Sequence, residues 1–165
     1  MSRLTIERKF LDEHPGVPFD EKWHQSGLPI GRDKVLRLEA ALAKMPQFEC
    51  PLNHYFVDGL YVREIFIPAG VALVGYIHMF PCITTISQGE IAITDGEKTV
   101  ILRAPFTMAC APGTKKAGYA IKDTIWSDAY VNPDNERNIE ALERRLTTDT
   151  HAQYLERTRL RLESK

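Results

Sequence analysis

The chain has 165 residues, 44% of them hydrophobic and 26% charged, so it can bury a sizeable core and is predicted to form one domain with helical additions. With 21 basic and 22 acidic residues, its charge excludes a general attraction to nucleic acid or anionic lipid. Cys50, Cys82 and Cys110 form no paired framework, and residues 1–14 lack the apolar segment of a signal peptide. We therefore expect a cytoplasmic protein that is not secreted.

Residues 1–31 mix charges with prolines and glycines without sustained periodicity, so we predict an irregular arm. Its aromatic side chains Phe19 and Trp23 are costly to leave in water and are expected to pack on the body or on another subunit. Residues 32–46 are predicted to form an amphipathic helix that ends at a proline, with Asp33 as its N-cap. The apolar face of this helix comprises Val35, Leu38, Leu42 and Met45.

Residues 47–132 consist of short apolar segments separated by turn signals, a pattern typical of a β-sandwich or barrel. Asp58-Gly59, Asp95-Gly96 and Pro112-Gly113 predict tight turns, because glycine tolerates the positive φ that such turns need. The sequence therefore predicts a mainly β domain. The expected strands are 52–57, 60–67, 71–79, 83–87, 90–94, 99–103, 106–111, 116–121 and 124–131.

The uncharged stretch 65–88 is as long as a membrane-spanning helix, which needs about 20 apolar residues. Two prolines, two glycines and many β-branched residues interrupt it, and these favour buried strands joined by tight turns. We place inner strands at 71–79 and 83–87, on either side of Pro81. If the strand ran unbroken, one face would carry Tyr76, His78, Phe80 and Cys82.

Residues 133–165 are predicted to form a helical extension. Asp134 is the expected cap of a first helix that runs to about Leu146, and 147–150 interrupts the helical pattern. A second helix over 151–164 is highly charged and has few apolar residues. We predict that this second helix is a tail that either binds a partner or frays.

One set of residues keeps the spacing of a known motif, G-x5-H-x-H-x3/4-E-x6-G. These residues are Gly70, Tyr76, His78, Cys82 and Gly89. On them the region resembles the cupins, in which the two histidines and the glutamate bind a metal. Of those three positions only His78 keeps the ligand. A second cupin motif falls on Pro112, Gly113 and about Lys116, again without its histidine. The resemblance implies a single cupin-type β-barrel, a jelly roll, with an N-terminal amphipathic helix and C-terminal helices.

Further segments between residues 35 and 146 occur in an order found in a narrower group. They include Met45-Pro46-Gln47, Ile67-Pro68-Ala69-Gly70, Ala104-Pro105-Phe106-Thr107 and Asp123-Thr124-Ile125-Trp126. This set resembles the small cupin-like proteins of tailed phages and prophages, in which histidines stand at the positions of Cys82 and Tyr130. The resemblance implies a fold and a genomic setting, but no established reaction. It places the protein in the cytoplasm of the host cell or in the virion.

The cupin resemblance places the face that carries His78 in the lumen of the barrel. The lumen candidates for ligand binding are Arg63, Tyr76, His78, Lys116 and Tyr130. His78 and Cys82 are ligand types for Zn or Fe, and His54 or Tyr130 would have to complete the set. The alternative, which we favour, is that Cys82 packs as a small hydrophobe and His78 forms hydrogen bonds in a filled lumen. We therefore expect no cofactor.

Several charged residues and one tryptophan also have an ordinary structural explanation. Arg63 and Glu64 fall on opposite faces of one strand, so one of them points inward or lies at a sheet rim. An inward Arg63 would hold an anionic ligand. Lys115 and Lys116 are expected on a solvated loop tip, unless Lys116 reaches the lumen mouth and binds a carboxylate or phosphate. Trp126 is expected to pack in the core.

Three functions are compatible with these observations. The first, which we favour, is a non-catalytic homo-oligomer that contacts phage structural or host proteins, because most metal-ligand positions are lost. The second is a metal-dependent dioxygenase or isomerase that uses His78 and Cys82. The third is a metal-free binder of a small molecule, such as a sugar or nucleotide metabolite, through Arg63, His78 and Lys116. No nucleic-acid or membrane partner is expected.

Overall fold

The computed structural model describes residues 31–164, so the aromatics Phe19 and Trp23 of the predicted arm lie outside the described residues. Within that range the chain forms eleven strands and three helices. The helices are α1 Arg32–Leu42, α2 Ile139–Leu146 and α3 His151–Glu163. The strands are β1 Leu52–Val57, β2 Gly59–Ile67, β3 Ala72–Val74, β4 Ile77–His78, β5 Cys82–Gln88, β6 Glu90–Thr94, β7 Thr99–Arg103, β8 Phe106–Cys110, β9 Ala117–Ala120, β10 Thr124–Asn132 and β11 Thr147–Thr148.

The main strands form two antiparallel sheets. The larger has the order β1-β2-β10-β5-β8 and the smaller has the order β3-β9-β6-β7, while β4 pairs with β11. The chain crosses repeatedly from one sheet to the other, so most neighbouring strands are not consecutive in the sequence. This arrangement of two interlocked Greek keys is a jelly roll. The predicted fold class, a mainly β jelly roll with helices before and after it, is confirmed.

One hydrophobic core fills the space between the two sheets. Ile67 and Ile86 of the larger sheet pack with Ile91 and Ile93 of the smaller, and each of the four is at most 1% exposed. The alternation of apolar and polar residues along β1 and β2 places every second side chain in this core. Burying each such side chain contributes about 1.5–3 kcal/mol, so this core is the main source of stability.

Helix α1 belongs to a second, smaller hydrophobic cluster on the smaller sheet. Its Val35 and Leu42 are buried against Val74 and Ala117, as the apolar face of the predicted helix requires. The helix ends at Leu42, earlier than predicted, and Met45 is 40% exposed. The expected apolar face is therefore correct for the helix itself but not for the residues that follow it.

The predicted N-cap of α1 is wrong. Gly31, in the left-handed region with φ of 89°, occupies the N-cap position without a side-chain capping bond, and Asp33 lies in the first turn. A Cβ atom on Gly31 would come within 2.5 Å of the carbonyl carbon of Gly96. The close approach of these two glycines therefore sets the start of the helix, and the capping chemistry of Asp33 does not.

The predicted inner strand over 71–79 is divided in the structure. β3 pairs with β9, whereas β4 leaves that sheet and pairs with β11 from the C-terminal extension. Between them, the Gly75 amide donates to the Lys116 carbonyl. The stretch 65–88 is thus folded as strands and turns. Among residues 31–164 no helix has the length and apolar character needed to cross a membrane.

The C-terminal extension also starts differently from the prediction. The N-cap of α2 is Asn138, whose side chain accepts from the Ala141 amide, whereas Asp134 forms an ion pair with Arg145. Asp134 as helix cap is therefore wrong, because the chain remains irregular after β10. Helix α3 begins with a capping box formed by Thr150 and Gln153. The predicted role of α3 as a partner-binding or frayed tail stays a prediction.

Candidate functional site

The inward face of the larger sheet carries a row of polar residues across four strands. Cross-strand pairing places His54 opposite Arg63, Arg63 opposite Asp128, and Asp128 opposite Thr84. These residues point into the barrel because they alternate with residues of the outer face. Burying charged groups costs free energy unless they are paired. The contacts of these residues therefore indicate which chemistry the row can support.

Asp128 is the centre of the row and is only 4% exposed. Its carboxylate accepts hydrogen bonds from the Thr84 hydroxyl at 2.5 Å and the Trp126 indole nitrogen at 2.9 Å. The Arg63 guanidinium lies 3.7 Å from its second oxygen. Burial by itself would raise the pKa of Asp128, but the charge that His78 carries when it is protonated, the charge of Arg63 and the bond from Thr84 lower this pKa below its ordinary value. Asp128 is therefore an ionised, buried carboxylate at neutral pH.

His78 lies beside this row and interacts with two side chains of the larger sheet. Its Nδ1 is 2.9 Å from the Tyr130 hydroxyl and 3.4 Å from the Cys82 sulfur. Burial lowers the pKa of His78 to about 4, and the positive charges of Lys116 and Arg63 act in the same direction. His78 is accordingly neutral at pH 7, and it can exchange hydrogen bonds without adding charge to the interior.

Two cysteines face each other next to His78. Cys82 in β5 is paired in register with Cys110 in β8. The Lys116 ammonium donates to the Cys110 sulfur at 2.7 Å, and the Thr84 hydroxyl lies 3.2 Å from it. The hydrogen bond from Cys82 and the charge of Lys116 lower the pKa of Cys110 to about 6, although burial opposes them. The bond to Cys110, together with burial, raises the pKa of Cys82.

A cavity of about 70 Å³ lies beside these groups in the barrel. Its polar wall includes Arg63, His78, Lys116 and Asp128, and isoleucines and leucines of both sheets supply much of the rest. Space of this size exceeds what one water molecule needs. Tyr76 and Thr147 line both this cavity and a wider surface pocket of about 460 Å³ formed with α2 and α3. The interior cavity therefore adjoins a surface pocket beside the C-terminal extension.

The structure brings most of the predicted lumen residues together. Arg63, Tyr76, His78 and Lys116 all line the cavity, and Tyr130 contacts His78. Arg63 is the inward member of the pair that it forms with Glu64, and Glu64 lies on the outer face with Asn53, Tyr55 and Ser127.

The predicted metal-ligand set does not come together in the same way. His78 and Cys82 are in contact, but His54 is held by the Tyr61 hydroxyl at 2.8 Å. Within residues 31–164 no three His, Cys, Asp or Glu side chains are grouped so that they could hold a metal ion. The donor set therefore does not fit the metal that the cupin resemblance implies, and we derive no reaction step through a metal.

The expectation for the basic loop needs correction, and the expectation for Trp126 on the last strand needs an addition. Lys115 is buried instead of solvated, because its ammonium binds Glu39 of α1 at 2.9 Å and the Gly75 carbonyl at 3.0 Å. Trp126 packs against the main core, as expected, and it also lines the cavity, donates to Asp128 and lies 5.6 Å below the Lys116 ammonium. The burial of Lys115 depends on partners that lie far away in the sequence.

Sequence reasoning missed Asp128, Thr84 and Cys110. A signal was present for Asp128, since it alternates with Trp126 and Tyr130 along β10 and must share their face. Thr84 likewise alternates with Cys82. Only the pairing of β5 with β8, however, shows that Cys110 lies opposite Cys82.

Neither a family model nor a curated protein matches the chain. Solved structures with a similar fold include a cupin superfamily protein from Desulfitobacterium hafniense DCB-2, at 13% identity and a TM-score of 0.44, covering 63% of this chain and 88% of that one. KdgF from Halomonas sp. has 14% identity, a TM-score of 0.46, and coverages of 58% and 88%. An acetylacetone dioxygenase from Acinetobacter johnsonii has 12% identity, a TM-score of 0.41, and coverages of 57% and 74%. In each comparison part of this chain has no counterpart.

Proposed function

We propose that this chain is a non-catalytic jelly-roll protein that acts by associating with a second copy of itself and with other proteins. The observation that supports this proposal best is the outer face of the larger sheet, which exposes large apolar side chains. Contiguous exposed apolar surface of this kind commonly marks a site of protein association. We call it the outer apolar face. Its members are Tyr55, Val57, Leu60, Val62, Ile83, Ala109, Ala129 and Val131.

These residues are neighbours across the sheet and not a scattered set. Tyr55 is paired with Val62, Val62 with Ala129, Ala129 with Ile83, and Ile83 with Ala109. A second row joins Val57, Leu60 and Val131. Val131 is 72% exposed and Val57 is 63% exposed. Such positions are normally polar on a sheet whose other face is buried, so the outer apolar face is unusual for a solvent-facing surface.

A second copy of the chain is the partner that fits this face best. Both rows lack charged residues, and the next row outward is polar, with Asn53, Glu64, Ser127, Thr85 and Thr107. An uncharged patch bordered by a polar row can pair with itself about a two-fold axis, because each row then meets an equivalent one. Two sheets stacked face to face would bury the apolar rows of both copies.

The biological setting that we propose is a tailed phage or prophage, with the protein as a virion or assembly component or as an accessory factor in the host cell. This part of the proposal is supported by the shared segments between residues 35 and 146. The exposed leucines of α3, Leu155, Leu160 and Leu162, offer a further surface for phage structural or host proteins.

Light scattering coupled to size-exclusion chromatography tests the association on the full chain. We expect a dimer for the wild type and a monomer for Val131→Glu and Ile83→Glu, because either change places a charge in the apolar rows. Leu162→Glu is the matched control, since Leu162 is 65% exposed but lies on α3, and it should leave the mass unchanged. A monomeric wild type, or a dimer that survives Val131→Glu, would contradict the proposal.

A second candidate function is the binding of a small anionic molecule in the interior cavity. The observation that favours it is the presence of Arg63 and Lys116 in the wall of one enclosed space. A ligand that binds the folded state alone raises stability by about 2.7 kcal/mol at a hundredfold excess over its Kd. A thermal-shift panel of carboxylates and phosphates should therefore contain a compound that raises the Tm of the wild type but not of Lys116→Gln. A panel without any such compound would argue against this function.

A further inference from the structure

The two cysteines inside the barrel have the geometry of a disulfide pair. Cys82 and Cys110 are directly opposite each other in the antiparallel pairing of β5 and β8, and both side chains are buried. Opposite residues in such a pair have Cα atoms about 4.5–5.5 Å apart. Disulfides join Cα atoms about 4.4–6.8 Å apart, so the sulfurs can bond without movement of the strands.

The surroundings of the two sulfurs differ, and the difference assigns them separate roles. Cys110 contacts the Lys116 ammonium and the Thr84 hydroxyl, which both stabilise negative charge on its sulfur. Cys82 contacts His78 instead, at 3.4 Å, and its sulfur is not next to the Lys116 charge in the way that the Cys110 sulfur is. The thiolate is the nucleophilic form of cysteine, so Cys110 is the attacking sulfur and Cys82 is the resolving one.

A small reactant can come close to this pair. Both sulfurs lie directly behind the cavity wall, because His78 and Lys116 line the cavity and each contacts one of them. The cavity of about 70 Å³ is larger than a molecule the size of a peroxide requires. Both cysteines are shielded from the outer surface, since the exposed fraction of each is 5% or less.

We propose that Cys82 and Cys110 form a redox-active dithiol that hydrogen peroxide oxidises to a disulfide inside the folded barrel. The Cys110 thiolate attacks one peroxide oxygen, an S–O bond forms, the O–O bond breaks, and the departing hydroxide takes up a proton to become water. The Cys82 sulfur then attacks the Cys110 sulfenic acid, the S–S bond forms, the S–O bond breaks, and the Cys82 proton leaves with the hydroxide as a second water. Two thiols and one peroxide thus give one disulfide and two waters.

The disulfide changes the wall of the cavity without requiring a change of fold. It removes the negative charge that Lys116 contacts and the thiol that contacts His78, and both of these side chains line the cavity. β5 and β8 are already paired, so the cross-link adds little constraint on their separation. This property depends only on the interior and is independent of the proposed association through the outer apolar face.

Peptide mapping of the native protein tests the proposal. Reduced full-length protein is treated with hydrogen peroxide, the remaining thiols are blocked with iodoacetamide, and the protein is digested with trypsin. Cleavage after Lys44, Arg63, Lys98, Arg103 and Lys115 places the three cysteines on separate peptides. We expect a linked peptide pair that contains Cys82 and Cys110, lighter by two hydrogens than the reduced pair, and its loss on treatment with dithiothreitol.

Matched variants test the role of each cysteine and of Lys116 in the reaction. Cys50→Ala should leave formation of the linked pair unchanged, whereas Cys110→Ser should abolish it and leave Cys82 unmodified. Cys82→Ser should trap Cys110 as a sulfenic acid that dimedone labels. Lys116→Met should slow the reaction by about tenfold or more at pH 7, since it removes the charge that favours the thiolate.

Tryptophan fluorescence confirms that each variant is folded. Folded wild type that yields no Cys82–Cys110 link, or that loses Cys50 thiol equally fast, would overturn the proposal.

Discussion

Both faces of the larger sheet depart in part from an ordinary half-buried sheet, which is apolar on its inner face and polar on its outer face. The inward face carries Arg63, Thr84 and Asp128, whereas the outward face carries Val131 and Ile83 in solvent. Buried polar groups and contiguous exposed apolar groups are the departures that carry information about function, because stability alone favours the reverse. The larger sheet departs on both faces, and this is why our proposals concern its two faces.

The smaller sheet shows the ordinary arrangement and serves as the comparison within the same molecule. Its Ile91 and Ile93 are buried in the main core, and its Ala117 is covered by α1. An ion pair between the buried Lys115 and the partly buried Glu39 holds α1 to the loop before β9. The smaller sheet is therefore built for packing, and the candidate site and the proposed interface both fall on the larger one.

The largest loss of stability is expected when the carboxylate of Asp128 is removed. Asp128→Ala leaves Arg63 buried without its negative partner and leaves Thr84 and Trp126 without their acceptor, so we expect a loss of about 3–5 kcal/mol in the free energy of unfolding. Urea denaturation measures it. Asp134→Ala is the control, because its ion pair with Arg145 is exposed and should be worth less than about 1 kcal/mol. Equal losses for both variants would remove the distinction between the interior and the surface.

A pH effect follows from the neutral state of His78. Its pKa is about 4 in the folded protein, because of burial, and near 6.5 in the unfolded chain, so the unfolded state binds more protons between these values. The stability that depends on neutral His78 is complete above about pH 6.5 and is lost as the pH falls towards 4, by an amount on the order of 3 kcal/mol. Denaturation at pH 7 and pH 4.5 measures the loss. His78→Gln should flatten this dependence, whereas His151→Gln should retain it.

A smaller effect on stability is expected at two adjacent threonines that lie on opposite faces of β5. Thr84→Val removes hydroxyl contacts with Asp128 and Cys110 inside the barrel and should cost about 1–3 kcal/mol. Thr85→Val removes only an exposed contact with Thr107 and should change stability by less than about 0.5 kcal/mol. Thermal and urea denaturation of the pair measure the difference. A greater loss for Thr85→Val would show that the outer polar row, and not the interior, holds this strand.

The smallest effect is expected on the outer surface. The Tyr55 hydroxyl donates to Glu64 at 3.0 Å in an exposed position, so Tyr55→Phe should change the free energy of unfolding by less than about 1 kcal/mol. The same variant keeps the ring and should leave the proposed dimer intact. Light scattering and urea denaturation check both expectations, and dissociation by this change would show that the hydroxyl, not the apolar surface, carries the contact.

The strands of the barrel were largely predictable because their signals are local. Alternating side chains and glycine turns fall where the structure has β1, β6 and β7 with the predicted bounds. The errors fall where a distant partner decides the local structure. β4 is separated from β3 because β11 pairs with it, and Asp134 binds Arg145 instead of capping a helix. Propensity and capping rules contain no information about such partners.

The composition and alternation of the chain by themselves determined a mainly β domain with flanking helices, and the resemblance of its motifs to the cupins placed Arg63 and His78 among the candidates for ligand binding. Only the tertiary structure decided which groups meet. The pairing of Cys82 with Cys110, the central position of Asp128 and the burial of Lys115 all depend on contacts between strands and loops far apart in the sequence. The physical reason is that alternation specifies the face of each side chain, whereas the register between distant strands specifies its neighbour.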